Sequence, residues 1–270
     1  MTNSEFSDSF STLLNSYNTQ AQFGEQSSKR EIVLDEYEKS VLLTQAQDIV
    51  VKSYFDGTLN QQRQGFDDST RRQVDFSSLI KVATLTASED NSSVFDDRGI
   101  IYDLPKREGR SGTASAEVLF ILNEKLTFTP TAKEKASKDF VIVPINYKEY
   151  DREMSKPYAQ PLKKQAWRLF QNSATGFDLK TELIPRWNYK EAKDKEEGTF
   201  VYKIRYIKRP QPIILENLPN ELNIDGESEE SPCELNPILH SDILNKAVEL
   251  AISTRGGAVA QPTQNDQNRQ

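Results

Sequence analysis

Thr199-Phe-Val-Tyr-Lys-Ile-Arg-Tyr-Ile207 decides the fold class. Its side chains alternate: Phe200, Tyr202, Ile204 and Tyr206 fall on one side, and Lys203 and Arg205 on the other. Period-two alternation of aromatic and β-branched residues against charged ones is the mark of a strand with one covered face. Other runs of strand character surround it at Gly99–Leu104, Val118–Leu122, Leu126–Phe128, Phe140–Ile145, Phe177–Leu183 and Ile213–Leu215, with a partial alternation over Val74–Leu85 and a strand or helical turn at Leu162–Phe170 around Trp167. Asn123-Glu124-Lys125 reads as a tight hairpin connection between two of these runs. Lys208-Arg209-Pro210-Gln211-Pro212 is a stiff, donor-poor link ahead of Ile213–Leu215, which is expected to complete the sheet.

Helices flank this block. Asp35 and Glu38 form a capping box, and Tyr37, Val41, Leu42, Ile49 and Tyr54 then recur at helical spacing, widened by Ala46 and Val50 and stopped by Gly57. Near the other end, Asn236-Pro237 supplies an N-cap and a first-turn proline. Leu239, Ile243, Leu244, Ala247, Leu250 and Ala251 give that helix its expected buried stripe. The expected architecture is α+β: a mostly antiparallel sheet or sandwich with amphipathic helices near both chain ends and flexible terminal extensions. The expected division is an N-terminal arm over 1–30, a main domain over 31–255 and a disordered tail over 256–270. The arm has a thin apolar stripe, Phe6, Phe10, Leu13, Leu14 and Tyr17, among Ser, Asn and Gln. Such a stripe is stable when docked on something, and these five residues are the candidate assembly interface; a frayed terminus is the alternative.

Two hundred and seventy residues give room for a real core, yet hydrophobic residues make up only 36%, below the roughly 45–50% usual for globular chains even counting glycine. A folded body with polar loops or tails is expected. The 34 basic residues against 41 acidic ones leave a net charge of −7, which argues against a general nucleic-acid binder. A single cysteine, Cys233, excludes an internal disulfide, and with a single histidine, His240, it excludes a His/Cys zinc cage within one chain. No targeting signal is visible, and apolar runs such as Ile49–Val51 fall far short of the about 20 residues of a spanning helix, so a soluble chain made in a cytoplasm is expected.

Catalytic patterns are sparse. There is no G-x-S-x-G elbow, P-loop, dinucleotide fingerprint or H-E-x-x-H. His240 stands in the first turn of a predicted helix, where a locally bonded structural imidazole is the expected role. The pairs Asp67-Asp68 and Asp96-Asp97, the second near Glu89 and Asp90, sit in polar loops without the calcium-loop pattern. Basic residues cluster at Lys106, Arg107 and Arg110, and again at Lys203, Arg205, Lys208 and Arg209. In the second cluster the tyrosines face away from Lys203 and Arg205, whereas a nucleic-acid stacking platform needs both on one surface. Glu221 to Glu234 holds six acids and no base, and reads as a solvated loop. No cofactor, catalytic residue or metal ligand is assigned.

Five segments together carry a resemblance. They are Glu36-Tyr-Glu-Lys-Ser-Val-Leu-Leu-Thr-Gln-Ala-Gln-Asp-Ile-Val50, Val143-Pro-Ile-Asn-Tyr-Lys-Glu-Tyr-Asp-Arg152, Ser155-Lys-Pro-Tyr-Ala-Gln-Pro-Leu-Lys-Lys-Gln-Ala-Trp-Arg-Leu-Phe170, Tyr206-Ile-Lys-Arg-Pro-Gln-Pro-Ile-Ile-Leu215 and Cys233-Glu-Leu-Asn-Pro-Ile-Leu-His-Ser-Asp-Ile-Leu244. Over roughly residues 31–255 their order and spacing resemble virion structural proteins of crAss-like tailed bacteriophages. That resemblance implies a non-enzymatic head–tail connector or neck subunit, forming a homo-oligomeric ring with portal and other neck or tail proteins as neighbours. It also implies a place in the virion, assembly in the host cytoplasm and passage of double-stranded DNA through the ring. A capsid-associated or tail subunit, or a cytoplasmic enzyme or regulator, are the alternatives.

Overall fold

The structure, a computed structural model, describes residues 1–21, 33–55, 66, 70–87, 99–108, 114–131, 136–156, 161–162, 164–172, 179–185, 198–219 and 222–255. The chain divides into two compact units, Met1–Ser78 with Pro210–Gln270, and Leu79–Arg209. The arm is thus no separate body: it belongs to the first unit, with the C-terminal residues. The disordered tail expected over 256–270 lies outside the described residues.

The first unit is built from α1 (Asn3–Ala21), α2 (Glu36–Phe55), a short α3 (Thr70–Asp75) and α5 (His240–Arg255). α2 starts at the capping box: Glu38 accepts from the Asp35 N–H at 3.3 Å, and Asp35 accepts from the Glu36 N–H at 2.9 Å. The buried face of α2 is not the expected stripe. It holds Leu43, Ala46, Val50 and Val51 together with Lys39, Ser40, Thr44 and Gln47, while Ile49 is exposed.

Three of those polar residues, Ser40, Thr44 and Gln47, bind an extended segment. The Ser40 hydroxyl accepts from the Leu215 N–H at 3.0 Å, and the Thr44 hydroxyl accepts from the Ile213 N–H at 3.1 Å. The Gln47 amide donates to the Gln211 carbonyl at 2.7 Å. Steps of four and three residues along a helix advance about 4.5–6 Å, close to the roughly 6.6 Å of two extended residues, so the two repeats stay in step. On its other side the segment pairs Ile214 with Ser231, both backbone bonds being 3.0 Å. Ile213–Leu215 therefore does not complete the sheet; helix side chains satisfy backbone groups that a neighbouring strand would have served.

The acidic stretch after it is folded at its tip. Asp225 (φ 52°) and Gly226 (φ 83°) make a two-residue turn closed by reciprocal bonds between Ile224 and Glu227, 2.9 and 3.0 Å. Left-handed backbone at both positions is the type I′ geometry that Asp-Gly favours. Asn236 caps the next turn by accepting from the Ile238 N–H at 3.2 Å, with Pro237 in first position, and α5 follows. Its buried stripe is Ile243, Leu244, Ala247, Val248 and Ala251; Leu250 is only half-buried.

The second unit contains β1 (Ile80–Leu85), β2 (Ile100–Asp103), β3 (Lys106–Glu108), β4 (Ala114–Ala116), β5 (Val118–Pro130), β6 (Lys138–Pro144), α4 (Tyr147–Met154), β7 (Gln165–Asn172), β8 (Leu179–Pro185) and β9 (Gly198–Lys208). Among the described residues, seven strands form one sheet in the order β1-β9-β5-β6-β7-β8-β2, and β3 and β4 form a separate pair. All pairings are antiparallel except β6 with β7, which α4 connects. The sheet curls until Ala87, just past β1, bridges to Tyr102 in β2 at the opposite edge. The rings of Tyr102 and Tyr202 meet at 5.2 Å, inside an apolar cluster that includes Leu126, Phe128, Leu183 and Ile204.

Asn123-Glu124-Lys125 is no hairpin. β5 runs through it for thirteen residues, with register shifts between Val118 and Phe120 and between Ile121 and Asn123. The polar interruption serves the interior. Glu124 accepts from Arg168 at 2.7 Å and from the Tyr202 hydroxyl at 2.7 Å, and Glu124 and Arg168 side chains are both 12% exposed. Tyr147–Met154, which is polar and aromatic up to its last residue, forms α4, its Glu149 accepting from the Asn146 N–H at 3.4 Å. α4 places Tyr150 edge-on to Trp167, over a second small cluster with Leu169 and Ile184.

Candidate assembly surface

The five arm residues separate. Phe6, Phe10 and Leu14 are buried within the first unit, Leu13 is half-buried, and Tyr17 is 48% exposed. α1 packs on α5 and α2. Polar bonds fix it there: Asn3 donates to the Ile214 carbonyl at 3.1 Å and to Glu230 at 2.9 Å, and Lys39 donates to Ser7 at 2.9 Å. Phe6, Phe10 and Leu14 thus find cover within the chain itself. The apolar stripe of the chain's own α5 covers them, so they are not an open interface.

His240 closes the same corner. Its ring lies 5.0 Å from that of Phe6. Nε2 bonds the Leu235 carbonyl at 3.1 Å, and Nδ1 faces the Met1 amine at 3.1 Å. The amine can only donate, so Nδ1 accepts and the proton sits on Nε2. Burial, and then the amine's charge, lower the pKa of the imidazole. The Cys233 thiol donates to Gln47 at 3.4 Å, and burial pushes its pKa up to about 11, which keeps it a thiol rather than a nucleophilic thiolate at neutral pH. Among the described residues, no three His, Cys, Asp or Glu are grouped to hold a metal ion, and no helix is long and apolar enough to cross a membrane. Asp67-Asp68, Asp96-Asp97, Glu89, Asp90 and Arg110 lie outside the described residues.

The open surface of the second unit is of a different kind. The alternation of β9 holds: Phe200, Tyr202, Ile204 and Tyr206 are buried, and Lys203 and Arg205 are exposed. Lys203 stands opposite Lys125 on β5 and Thr84 on β1, and Arg205 stands opposite Val82. Like charges directly opposite on a sheet repel. Asp139 on β6 relieves this by accepting from Lys125 at 2.8 Å, and that bond, with one from Thr127 at 2.9 Å, holds its carboxyl below the usual carboxylate range. Val82 and Val141 remain 67% and 65% exposed on this face. The result is a shallow groove across β1, β9, β5 and β6, with Val82 and Val141 at its flanks and Lys125, Lys203 and Arg205 between them beside two carboxylates, Asp139, paired with Lys125, and Glu124, paired with Arg168. Lys203 and Arg205 were legible from alternation. The two valines were not singled out, although Phe140 and Ile142 pointing inward put Val141 outside.

Comparison with known proteins gives the class: structural ring proteins of crAss-like phage virions. The chain belongs to the family described as phage tail ring protein 3/4, whose model matches residues 1–263. It is similar to "Ring protein 4/5" of Bacteroides phage crAss001, with 41% identity over 251 residues, 92% of this chain and 90% of that one. It is also similar to "Ring protein 3" of the same phage, with 31% identity over 258 residues, 94% of this chain and 96% of that one.

Proposed function

We propose that this chain is a non-enzymatic ring subunit at the head–tail junction of the virion, in the neck between portal and tail, where copies assemble into a homo-oligomeric ring in the host cytoplasm. The observation that carries this reading is similarity along nearly the whole chain to two different ring proteins of one phage. Portal and other neck or tail proteins are its neighbours. An acidic chain, net charge −7, suits a lumen through which double-stranded DNA passes without being held, because few phosphate contacts form. Of the five stripe residues of the arm, Tyr17 and the outer side of Leu13 are left to touch a neighbour. The family's description as tail ring proteins favours a second position, lower in the tail.

Imaging of intact particles by electron cryo-microscopy tests both. The expected result is a closed ring of this chain adjoining the portal. A ring further down the tail would move the assignment to the second position. A chain found only on the capsid, or absent from particles, would overturn the ring reading.

A further inference from the structure

We infer that the groove across β1, β9, β5 and β6 of one copy receives the acidic Asp225-Gly226 hairpin of the next copy, so that this pair of patches joins neighbours in the ring. The inference rests on the ring reading and names the contact that builds it. A closed ring needs a heterologous interface, two different patches of the same chain that fit each other. One patch is the exposed pair Lys203 and Arg205, two residues apart on one strand, between the exposed Val82 and Val141. Among the described residues neither Lys203 nor Arg205 is within ion-pair distance of an acid; of the two carboxylates in the groove, Asp139 is bonded to Lys125 and also feels the charge of Lys203, and Glu124 is bonded to Arg168.

The complementary patch is on the first unit. Asp225, Glu227, Glu229 and Glu230 lie within six residues with no base among them. Asp225, Glu229 and Glu230 are exposed. The left-handed turn at Asp225 and Gly226, closed by two backbone bonds, makes the tip a defined shape, so little ordering entropy is lost on docking. Leu222, 37% exposed at the foot of the hairpin, supplies an apolar surface of the kind Val82 and Val141 would cover. Opposite charges set the partner and the register, and the apolar flanks exclude water around them. A second copy is favoured as occupant because the same chain holds both halves of the match.

Charge reversal tests this. Lys203→Glu with Arg205→Glu changes two exposed side chains, so circular dichroism and the unfolding midpoint should match wild type. Ring-sized species seen by mass photometry, and copies of the chain in particles from complemented infections counted by mass spectrometry, should fall at least tenfold. Glu227→Lys with Glu229→Lys should do the same. The quadruple variant, which exchanges the two signs, should recover assembly, and an equimolar mixture of the two double variants should co-assemble. Undiminished assembly of either double variant, or failure of the quadruple variant to recover, would overturn this contact. If wild-type particles show rings while the reversals are silent, the ring reading stands and only this interface falls. Absence of any ring in wild-type particles strikes both.

Discussion

The two units satisfy buried backbone in opposite ways. In the second, a seven-stranded ladder pairs backbone with backbone, and side chains are left to fill the interior or pattern the outside. In the first, three side chains of α2, Ser40, Thr44 and Gln47, serve the backbone of residues 211–215. A ladder spreads the work over many bonds. The helix-borne version concentrates it in a few side chains, each of which can be removed by a single substitution. The same contrast governs charge. The second unit buries Glu124 with Arg168, while the first unit's turn keeps Asp225, Glu229 and Glu230 at the surface.

Four experiments break or sharpen that contrast. The largest effect is expected from deleting residues 2–20, which removes Phe6, Phe10 and Leu14 from the interior of the first unit. Phe10→Ala alone should cost about 3–5 kcal/mol, and the deletion more. Hydrogen exchange on the full chain should accelerate across α2 and α5, with β5 and β9 nearly unchanged. Equal protection in α5 of the deleted chain would return the arm to the status of an appendage.

Glu124→Leu should come next. It strands the Arg168 guanidinium and the Tyr202 hydroxyl in the interior, at a cost of about 3–5 kcal/mol in urea unfolding. Glu124→Leu combined with Arg168→Met should recover most of that loss; no recovery would mean that the pair is not the unit of stability. Thr44→Val tests the helix-borne pairing by leaving the Ile213 N–H buried and unbonded, for about 1–3 kcal/mol. The same change at Thr84, exposed on β1, should be near neutral. Matching losses at the two positions would refute the role given to α2.

The smallest effect concerns pH. Burial lowers the folded-state pKa of His240 below its ordinary value of 6.5. The unfolded chain then binds the extra proton first, so the contribution of neutral His240 is complete above about pH 6.5 and is lost as pH falls through the depressed folded-state value. His240→Asn should flatten this part of the pH–stability profile of the full chain. An unchanged profile would remove His240 as its source.

Sequence pattern found elements where polarity and burial agree. The alternation of Thr199–Ile207, the Asp35/Glu38 capping box and the Asn236-Pro237 helix start all stand in the structure. It failed where polar residues face inward. Ser40, Thr44 and Gln47 look like the wet side of α2, which displaced the expected stripe toward Ile49. Glu124 looks like a turn residue because its partners, Arg168 and Tyr202, are 44 and 78 positions away. Ile213–Leu215 has strand composition, and only the distant α2 shows why it joins no sheet. The arm stripe was legible as a stripe, but its covering partner, α5, lies at the other end of the chain.

The bridge between Ala87 and Tyr102 bears on how copies of such a subunit avoid uncontrolled association. An open sheet ends in rows of unsatisfied N–H and C=O groups that can template the addition of strands from other molecules, the route to fibres. Here the sheet's short outer strands, β1 of six residues and β2 of four, are brought toward each other, and the bridge occupies part of both rims. In a ring of the kind proposed, copies would thereby be steered away from strand-to-strand growth, which has no natural end, toward side-chain contacts, whose angle can close a circle and stop.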